Sequence, residues 1–227
     1  MSKGSVTLKL FVMGINNGGP GGPSIGKNKN YVSYFRMGQY ITRTIGEITS
    51  WTEPQYENQM RMGLTTAFLK PVKQFTDVGF RYCPKPKSTW GAYTMALSLN
   101  RKAITTGIYP DLDIDFSKAI LSMGDLPVPK NAEVNLTDSI IKFSWSAELE
   151  HAKADESDRV MCVAYFPENG QALTVLSGAK RTEEEQTIVL TSFTEEMVIE
   201  TYICYISEDR KRVSNSVYTG QLLWSKS

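Results

Sequence analysis

Residues 198–206, Val-Ile-Glu-Thr-Tyr-Ile-Cys-Tyr-Ile, decide the fold of this chain. β-Branched and aromatic residues dominate the segment, which favours a strand, and turn-forming segments separate it from its neighbours. Six further segments of strand-like composition occupy the same part of the sequence: 132–136, 140–145, 159–166, 171–176, 186–190 and 213–224. Seven short strands separated by turns predict an all-β region built from two packed sheets.

Four features of this C-terminal region, residues 127–227, resemble those of a known domain. Trp145 ends the second strand, and Tyr165 falls on the next strand. Tyr202 lies in the penultimate strand, and residues 213–218 follow after a short loop. Through these features the region resembles a fibronectin type III domain and, more broadly, an immunoglobulin-like β-sandwich, in which a core tryptophan and a corner tyrosine hold comparable places. The resemblance implies a two-sheet sandwich.

Upstream, residues 24–126 are predicted to form a small α+β domain that begins with a β-hairpin. The segments 31–36 and 39–45 have strand-like composition and flank Met37 and Gly38, which read as the turn. The fold class predicted for the whole chain is therefore α+β, with an N-terminal hairpin and a small helical region followed by the β-sandwich.

Three helices are predicted after the hairpin. Thr52 and Gln55 form a capping box at the start of the first helix. Its apolar face recurs every four residues: Tyr56, Met60, Leu64 and Phe68. Pro71 opens a second, short helix, and Ser88 caps a third helix that Gly107 ends.

Strict alternation in residues 111–116, Asp-Leu-Asp-Ile-Asp-Phe, predicts a half-buried strand, with 119–123 as its pairing partner. Three carboxylates then share one face of the strand: Asp111, Asp113 and Asp115. A calcium loop would need Gly and Glu where Phe116 and Ser122 stand. We interpret the three residues as a solvated face, or as a contact for a cation or a basic partner surface. Residues 124–129 read as a linker.

The first 23 residues are predicted to form an arm. Apolar residues at alternate positions indicate a strand with one apolar face: Val6, Leu8, Leu10 and Val12. Residues 14–23 contain five glycines and two prolines, which disfavour a regular element there. Such a strand, followed by a hinge, can add to the sheet edge of a neighbouring subunit.

The net charge of +1 hides a split between the two parts of the sequence. Residues 1–107 carry 14 Lys and Arg against 4 Asp and Glu, and residues 108–227 carry 11 against 20. Two unrelated solvated surfaces, electrostatic complementarity within or between copies, and nucleic-acid binding by the basic part are all consistent with this split. The last interpretation depends on four cations interleaved with aromatic residues: Lys27, Lys29, Arg36 and Arg43.

The sequence contains no convincing catalytic or metal-binding constellation, so we expect neither an enzyme nor a cofactor. Residues 21–27 match part of a P-loop, but Asn28 stands where Ser or Thr is needed. Residues 22–26 match the G-x-S-x-G pattern of a nucleophile elbow, but the strand and the helix that should flank such an elbow are not predicted there. The single histidine, His151, lies in a charged segment. The cysteines fit no metal or redox spacing: Cys83, Cys162 and Cys204. We interpret Cys162 and Cys204 as small buried residues, or as partners in a disulfide if the protein meets an oxidising compartment.

Stretches between residues 24 and 220 match a narrower family: 24–27, 34–43, 59–79, 103–111, 115–118, 207–209 and 214–218. Through them the chain resembles an uncharacterised domain-of-unknown-function family of Bacteroidetes-type bacteria and their phages. It departs from that family near its start, where it adds a strand and a proline-containing loop. The resemblance implies no established activity.

These observations predict a non-catalytic structural protein, a self-associating subunit of a phage virion or of a bacterial filament or surface assembly. The expected interface combines the four apolar arm residues, the four cations and the three aspartates. The alternative is a binding module for a glycan, a cell surface or a protein partner. No segment reads as a membrane span or as a classical signal peptide. We therefore expect synthesis in the cytoplasm, with incorporation into a virion or an extracellular assembly.

Overall fold

The computed structural model of this chain describes residues 15–16, 24–46, 50–84, 90–190 and 196–225. Its contacts divide the chain into two compact units, residues 1–52 and residues 53–227. The four apolar residues predicted for the arm (Val6, Leu8, Leu10 and Val12) and the predicted cap Ser88 lie outside the described residues. No helix within the described ranges is long and apolar enough to cross a membrane.

The first unit is built on an antiparallel sheet with the strand order β1-β2-β3-β4. Its strands are β1 (Ile15–Asn16), β2 (Ser24–Asn28), β3 (Tyr31–Arg36) and β4 (Gln39–Thr44). The predicted hairpin is confirmed as β3 and β4. Met37 and Gly38 join them with φ values of 49° and 78°, in the left-handed region that a tight hairpin turn requires. The sequence pattern missed β1 and β2, because these short segments are polar or interrupted by glycine.

Three helices begin the second unit: α1 (Glu53–Leu69), α2 (Lys73–Gly79) and α3 (Ala92–Ala103). The predicted apolar face of α1 is buried only toward its C-terminus. Phe68 and Leu69 are fully buried, whereas Tyr56 is 45% exposed. The last two turns of α1 therefore make its buried apolar contact with the rest of the unit, while Arg61 donates a 2.7 Å hydrogen bond to the Thr105 hydroxyl.

A short hairpin follows the helices, with β5 (Thr105–Ile108) paired to β6 (Asp111–Ile114). Two predictions for this region were wrong. The third helix ends at Ala103 rather than at Gly107, and β6 pairs with β5 rather than with residues 119–123. Gly107 has a φ of +87°, and a Cβ there would lie 2.3 Å from a carbonyl oxygen of β6. The glycine thus permits the close approach of the two strands.

Seven further strands lie close to the predicted segments: β7 (Lys130–Thr137), β8 (Ile140–Ser146), β9 (Arg159–Phe166), β10 (Gln171–Val175), β11 (Glu185–Val189), β12 (Met197–Ile206) and β13 (Val217–Trp224). They form a three-stranded sheet with the order β11-β8-β7 and a four-stranded sheet with the order β10-β9-β12-β13. All neighbouring strands are antiparallel.

The four-stranded sheet is buried on both of its faces. One face shares a hydrophobic cluster with the three-stranded sheet, which we call the inner core; it includes Phe143, Cys162 and Ile203. The other face shares a cluster with the helices, the outer core, which includes Phe68 and Cys204. Successive side chains of a strand point to opposite faces. Every residue of β9 after its first is therefore buried.

The structure divides the chain at a different point from the predicted boundary at residues 126 and 127. The helices and both sheets belong to one compact unit, because the outer core joins them. The predicted linker 124–129 is also packed at its start. Leu126 is 4% exposed and donates a 3.1 Å hydrogen bond to the Val213 carbonyl. A Cβ on Gly124 would lie 2.0 Å from the same oxygen.

Cys162 and Cys204 lie on neighbouring strands but in different cores. The register pairs Cys162 with Ile203 and Cys204 with Met161, so the two side chains leave the sheet on opposite faces. Both are free thiols, and burial raises the pKa of Cys204 to about 12. This geometry is incompatible with the disulfide that the sequence left open.

Candidate functional site

Strand register sorts the side chains of the N-terminal sheet onto two faces, since residues directly opposite each other share a face. Val32 on β3 lies opposite Lys27 on β2 and opposite Arg43 on β4. Arg36, four residues beyond Val32 on the same strand, lies on that face too. Three of the four predicted cations are therefore brought together, and we call this side of the sheet the cationic face. Lys29 lies at the β2–β3 turn instead.

The cationic face combines exposed charge with a half-buried apolar centre. Lys27, Arg36 and Arg43 are exposed. The apolar residues between them are half-buried: Ile25, Val32, Tyr34 and Ile41. The described residues of the first unit include no Asp or Glu, so none of them neutralises this face. Its positive field is available to an acidic partner.

The opposite side of the sheet, the aromatic face, carries exposed rings, and none of its described residues is charged. Tyr31 and Phe35 lie on β3, and Tyr40 lies directly opposite Phe35 on β4. Their exposed fractions are 54%, 63% and 39%. The sequence pattern had interleaved these rings with the cations, but the register separates them. A single-stranded nucleic acid would need stacking rings and cations along one groove. The structure therefore gives no support to the predicted nucleic-acid platform.

Two of the three predicted aspartates form an acidic edge on the second unit. Asp111 and Asp113 are both exposed and share one face of the β5–β6 hairpin with Ile108, which is 85% exposed. Neither carboxylate forms an ion pair with any described residue. Asp113 accepts a 2.7 Å hydrogen bond from the N–H of Ile114. This acidic hairpin presents two adjacent uncompensated charges beside an apolar side chain.

Asp115 lies one residue beyond the end of β6, where its carboxylate takes part in a local cap. Strand β6 ends at Ile114, and Asp115 caps the 3-10 helix Phe116–Lys118 instead. Its carboxylate accepts hydrogen bonds from the Ser117 N–H at 3.1 Å and from the Lys118 ammonium at 2.8 Å. Lys118 first, and then Ser117, lower the pKa of Asp115. Its charge is satisfied locally, because the capping geometry overrides the alternating pattern.

A cavity of about 380 Å³ lies in the second unit beside the packed segment 123–125. Tyr82, Met123 and Arg212 are among its lining residues. Asp125, also in the lining, accepts hydrogen bonds from Lys153 at 2.9 Å and from Arg212 at 3.2 Å. Lys153 first, and then Arg212, lower the pKa of Asp125 to about 2. The charged groups already satisfy one another, so we interpret them as a structural network.

The remaining motifs singled out in the sequence lack the geometry of a reactive site. Residues 24–28 of the P-loop-like and elbow-like stretches form strand β2, whereas both motifs need a helix after the loop. His151 is exposed, and its Nδ1 accepts a hydrogen bond from the Lys153 N–H at 3.1 Å. No group of His, Cys, Asp or Glu in the described part of the chain is arranged to hold a metal ion.

Comparison with known proteins identifies the family. A sequence model described as "Family of unknown function (DUF6266)" matches residues 18–220, so the chain belongs to this family. The match agrees with the resemblance to an uncharacterised family and begins six residues earlier than the first of the matching stretches. No curated protein matches the chain.

Proposed function

We propose that this member of the DUF6266 family is a non-catalytic assembly protein, a self-associating subunit of a phage virion or of a bacterial filament or surface structure. The carrying observation is the cationic face, on which the register gathers three exposed cations with no acidic residue among the described neighbours of its unit. In this proposal, the cationic face of one copy contacts the acidic hairpin of the next.

Charge complementarity between the two units supports a head-to-tail contact. Residues 1–52 contain six Lys and Arg against one Glu, a net charge of +5. Residues 53–227 contain nineteen against twenty-three, a net charge of −4. A contact that uses two different surfaces of the same chain leaves one of each unpaired at the ends. It therefore propagates into a ring or a filament.

The apolar groups on each side fit the same contact. Ile108 projects beside Asp111 and Asp113, and the cationic face surrounds a half-buried aliphatic centre with Val32 and Ile41. An apolar centre with a charged rim is the usual anatomy of a protein interface. The predicted arm strand would add to the contact by pairing with a sheet edge of the neighbouring copy.

A fibronectin type III-like sandwich is the domain type that we assign to residues 127–227 within this proposal. The strand orders β11-β8-β7 and β10-β9-β12-β13 support the assignment, since seven antiparallel strands in two packed sheets are the architecture of that family. The burial of Trp145 and Tyr202 also supports it. Such sandwiches serve as rigid spacers and as binding modules, so this assignment is compatible with the assembly role without adding to it.

Charge reversal on the two surfaces tests the contact. Light scattering and electron microscopy would follow the full chain at low and high salt, since salt screens exposed charges. We expect large, regular particles at low salt that dissociate as the salt concentration rises. The variant Lys27→Glu/Arg36→Glu/Arg43→Glu should be monomeric, and so should Asp111→Lys/Asp113→Lys. Mixing these two variants should restore assembly, with the two variants alternating, because both surfaces of one are then complementary to both surfaces of the other.

A matched control separates this contact from a general effect of charge. The variant Lys70→Glu/Lys102→Glu/Lys180→Glu makes the same change in net charge at three exposed positions of the second unit that form no ion pair with the described residues. It should assemble like the original chain. A monomer at every salt concentration would contradict the proposal, and so would equal loss of assembly in the control.

A further inference from the structure

The register and the burial of residues on the aromatic face indicate a shallow groove that runs across the strands. Its floor is a row of small residues that the register places side by side: Gly26 on β2, Ser33 on β3 and Thr42 on β4. The Ser33 and Thr42 hydroxyls are hydrogen-bonded to each other at 2.9 Å. Ser33 is only 6% exposed, whereas the aromatic residues on either side of it are more than half exposed. At Ser33 the floor therefore lies below the neighbouring rings, whereas Thr42 at its β4 end is exposed.

Aromatic rings form the two walls of this groove. Tyr31 stands on one side of Ser33, and Phe35 with its cross-strand neighbour Tyr40 stands on the other. Residues two apart on one strand face are about 7 Å apart, so the Cα atoms of Tyr31 and Phe35 are separated by roughly 13 Å. All three rings are carried by strands rather than by loops. The groove is thus held open by regular backbone hydrogen bonding before any ligand arrives.

The chemistry of the lining restricts what the groove can bind. Floor and walls offer aromatic rings, hydroxyl groups and the Asn28 amide, and none of these groups is charged. Lys27, Arg36 and Arg43 lie on the other face, and Lys29 lies at the β2–β3 turn. A phosphate or a carboxylate would therefore find no counter-charge among the described groups of this lining. The Ser33 and Thr42 hydroxyls bond to each other, so one of the two still has its own hydrogen to donate. A wholly apolar ligand would leave that hydrogen without a partner, which costs free energy when it is buried.

We propose that this groove binds a neutral glycan. A pyranose ring has an apolar C–H face that packs against an aromatic ring, and a rim of hydroxyl groups that act as donors and acceptors. Two aromatic walls with a hydroxyl-lined floor match both properties. The site lies on the face opposite the cations, so glycan binding is independent of the proposed self-association. If the glycan-binding test fails, the self-association proposal is unaffected, and the reverse also holds.

Affinity electrophoresis with soluble polysaccharides tests this inference on the full chain. The probes are four neutral polymers, namely a β-glucan, a xylan, a galactomannan and a starch, with heparin as the anionic comparison. We expect at least one neutral polymer to retard the protein. Phe35→Ala and Tyr31→Ala should each weaken that binding about tenfold, as expected for the loss of one packed ring. Phe35→Leu, which keeps apolar volume, should weaken binding while preserving the fold.

Three control variants make the result specific. Tyr82→Ala and Tyr56→Ala remove exposed rings of the second unit and should leave binding unchanged. Lys27→Glu/Arg36→Glu/Arg43→Glu should also bind normally, because it alters only the opposite face. The inference is overturned if no neutral polymer retards the protein, if heparin alone does so through the cations, or if the Tyr82 and Tyr56 variants lose binding as much as the groove variants.

Discussion

Arg181 is the largest fully buried side chain among the described residues, and it connects the loops at one end of the two sheets. Its guanidinium donates a 2.9 Å hydrogen bond to the Asp158 carboxylate and lies 3.8 Å from the centre of the Tyr205 ring. Its backbone carbonyl accepts a 2.8 Å hydrogen bond from the Trp145 indole. Arg181 thus fixes its loop to the inner core through an ion pair, a contact with an aromatic ring and a hydrogen bond to its backbone carbonyl.

Removing one member of this buried ion pair should destabilise the protein strongly. Arg181→Met leaves the carboxylate of Asp158, which is 2% exposed, without its cation. We expect a loss of about 3–5 kcal/mol in the free energy of unfolding, measured by urea titration. Lys142→Met breaks the Lys142–Glu185 pair, whose side chains are 48% exposed. That control should cost less than about 1 kcal/mol.

The double variant Arg181→Met/Asp158→Asn distinguishes charge burial from packing. Asn retains an acceptor for the Asp155 N–H, which donates to Asp158 at 3.1 Å, while it removes the buried charge. The double variant should therefore be more stable than Arg181→Met alone. If the losses in the free energy of unfolding caused by the two single substitutions simply add in the double variant, the buried ion pair is not the source of the destabilisation.

At the scale of elements, a glycine at the end of α2 lets this helix approach residues 121–123 closely. The last residue of α2 is Gly79, where a Cβ would lie 2.6 Å from the Leu121 carbonyl oxygen and 2.7 Å from the Ser122 Cβ. The Gly79 carbonyl accepts a 3.1 Å hydrogen bond from the N–H of Met123. This contact positions α2 beside residues 121–123 and helps to close the outer core.

Two glycine-to-alanine variants should shift stability in opposite directions. Gly79→Ala inserts a methyl group into occupied space and should cost about 1–3 kcal/mol. Gly63→Ala lies within α1, where a Cβ would meet nothing within 4 Å. It should stabilise the helix by up to about 1 kcal/mol. Urea midpoints at constant slope would measure both effects, and equal shifts of the same sign would contradict the packing argument.

Strand positions were predictable from the sequence wherever alternation or apolar runs exceeded four or five residues. The seven C-terminal strands and the β3–β4 hairpin are of this kind. The sequence analysis did not predict that helices pack on one face of the four-stranded sheet, although residues 160–166 indicate it. Seven consecutive residues without a polar one indicate a strand buried on both faces rather than one with a solvated side.

The candidate surfaces were only partly predictable, because each depends on register or on a local cap. Successive side chains of a strand point to opposite faces, and the cations of β3 and β4 stand an odd number of positions from the exposed rings of the same strand. The sequence alone could therefore have assigned the cations and the rings to opposite faces. Lys27 could not be placed, since β2 was not recognised. Asp115 carries a local signal that competes with alternation, namely an aspartate two residues before Ser117. Such side-chain caps end strands and start turns.

At the scale of the whole molecule, the two cores make residues 53–227 one cooperative body. The inner and outer cores lie on opposite faces of the same four-stranded sheet and share its backbone. A cut at residue 127 would remove the helices and expose outer-core residues of β9 and β12: Met161, Val163, Tyr202 and Cys204. A cut at residue 53 keeps all the residues of both cores in one fragment, because all of them lie beyond it.

Two fragments test this division of the chain. Fragment 53–227 should unfold in a single urea transition at the midpoint of the full chain's main transition, because it keeps both cores. Fragment 127–227 should bind hydrophobic dyes and aggregate, since its outer-core face is uncovered. A well-folded 127–227 fragment would show that the helices are dispensable and would restore the boundary predicted from the sequence. Fragment 53–227 also lacks the cationic face, so it should remain monomeric at low salt if that face drives assembly.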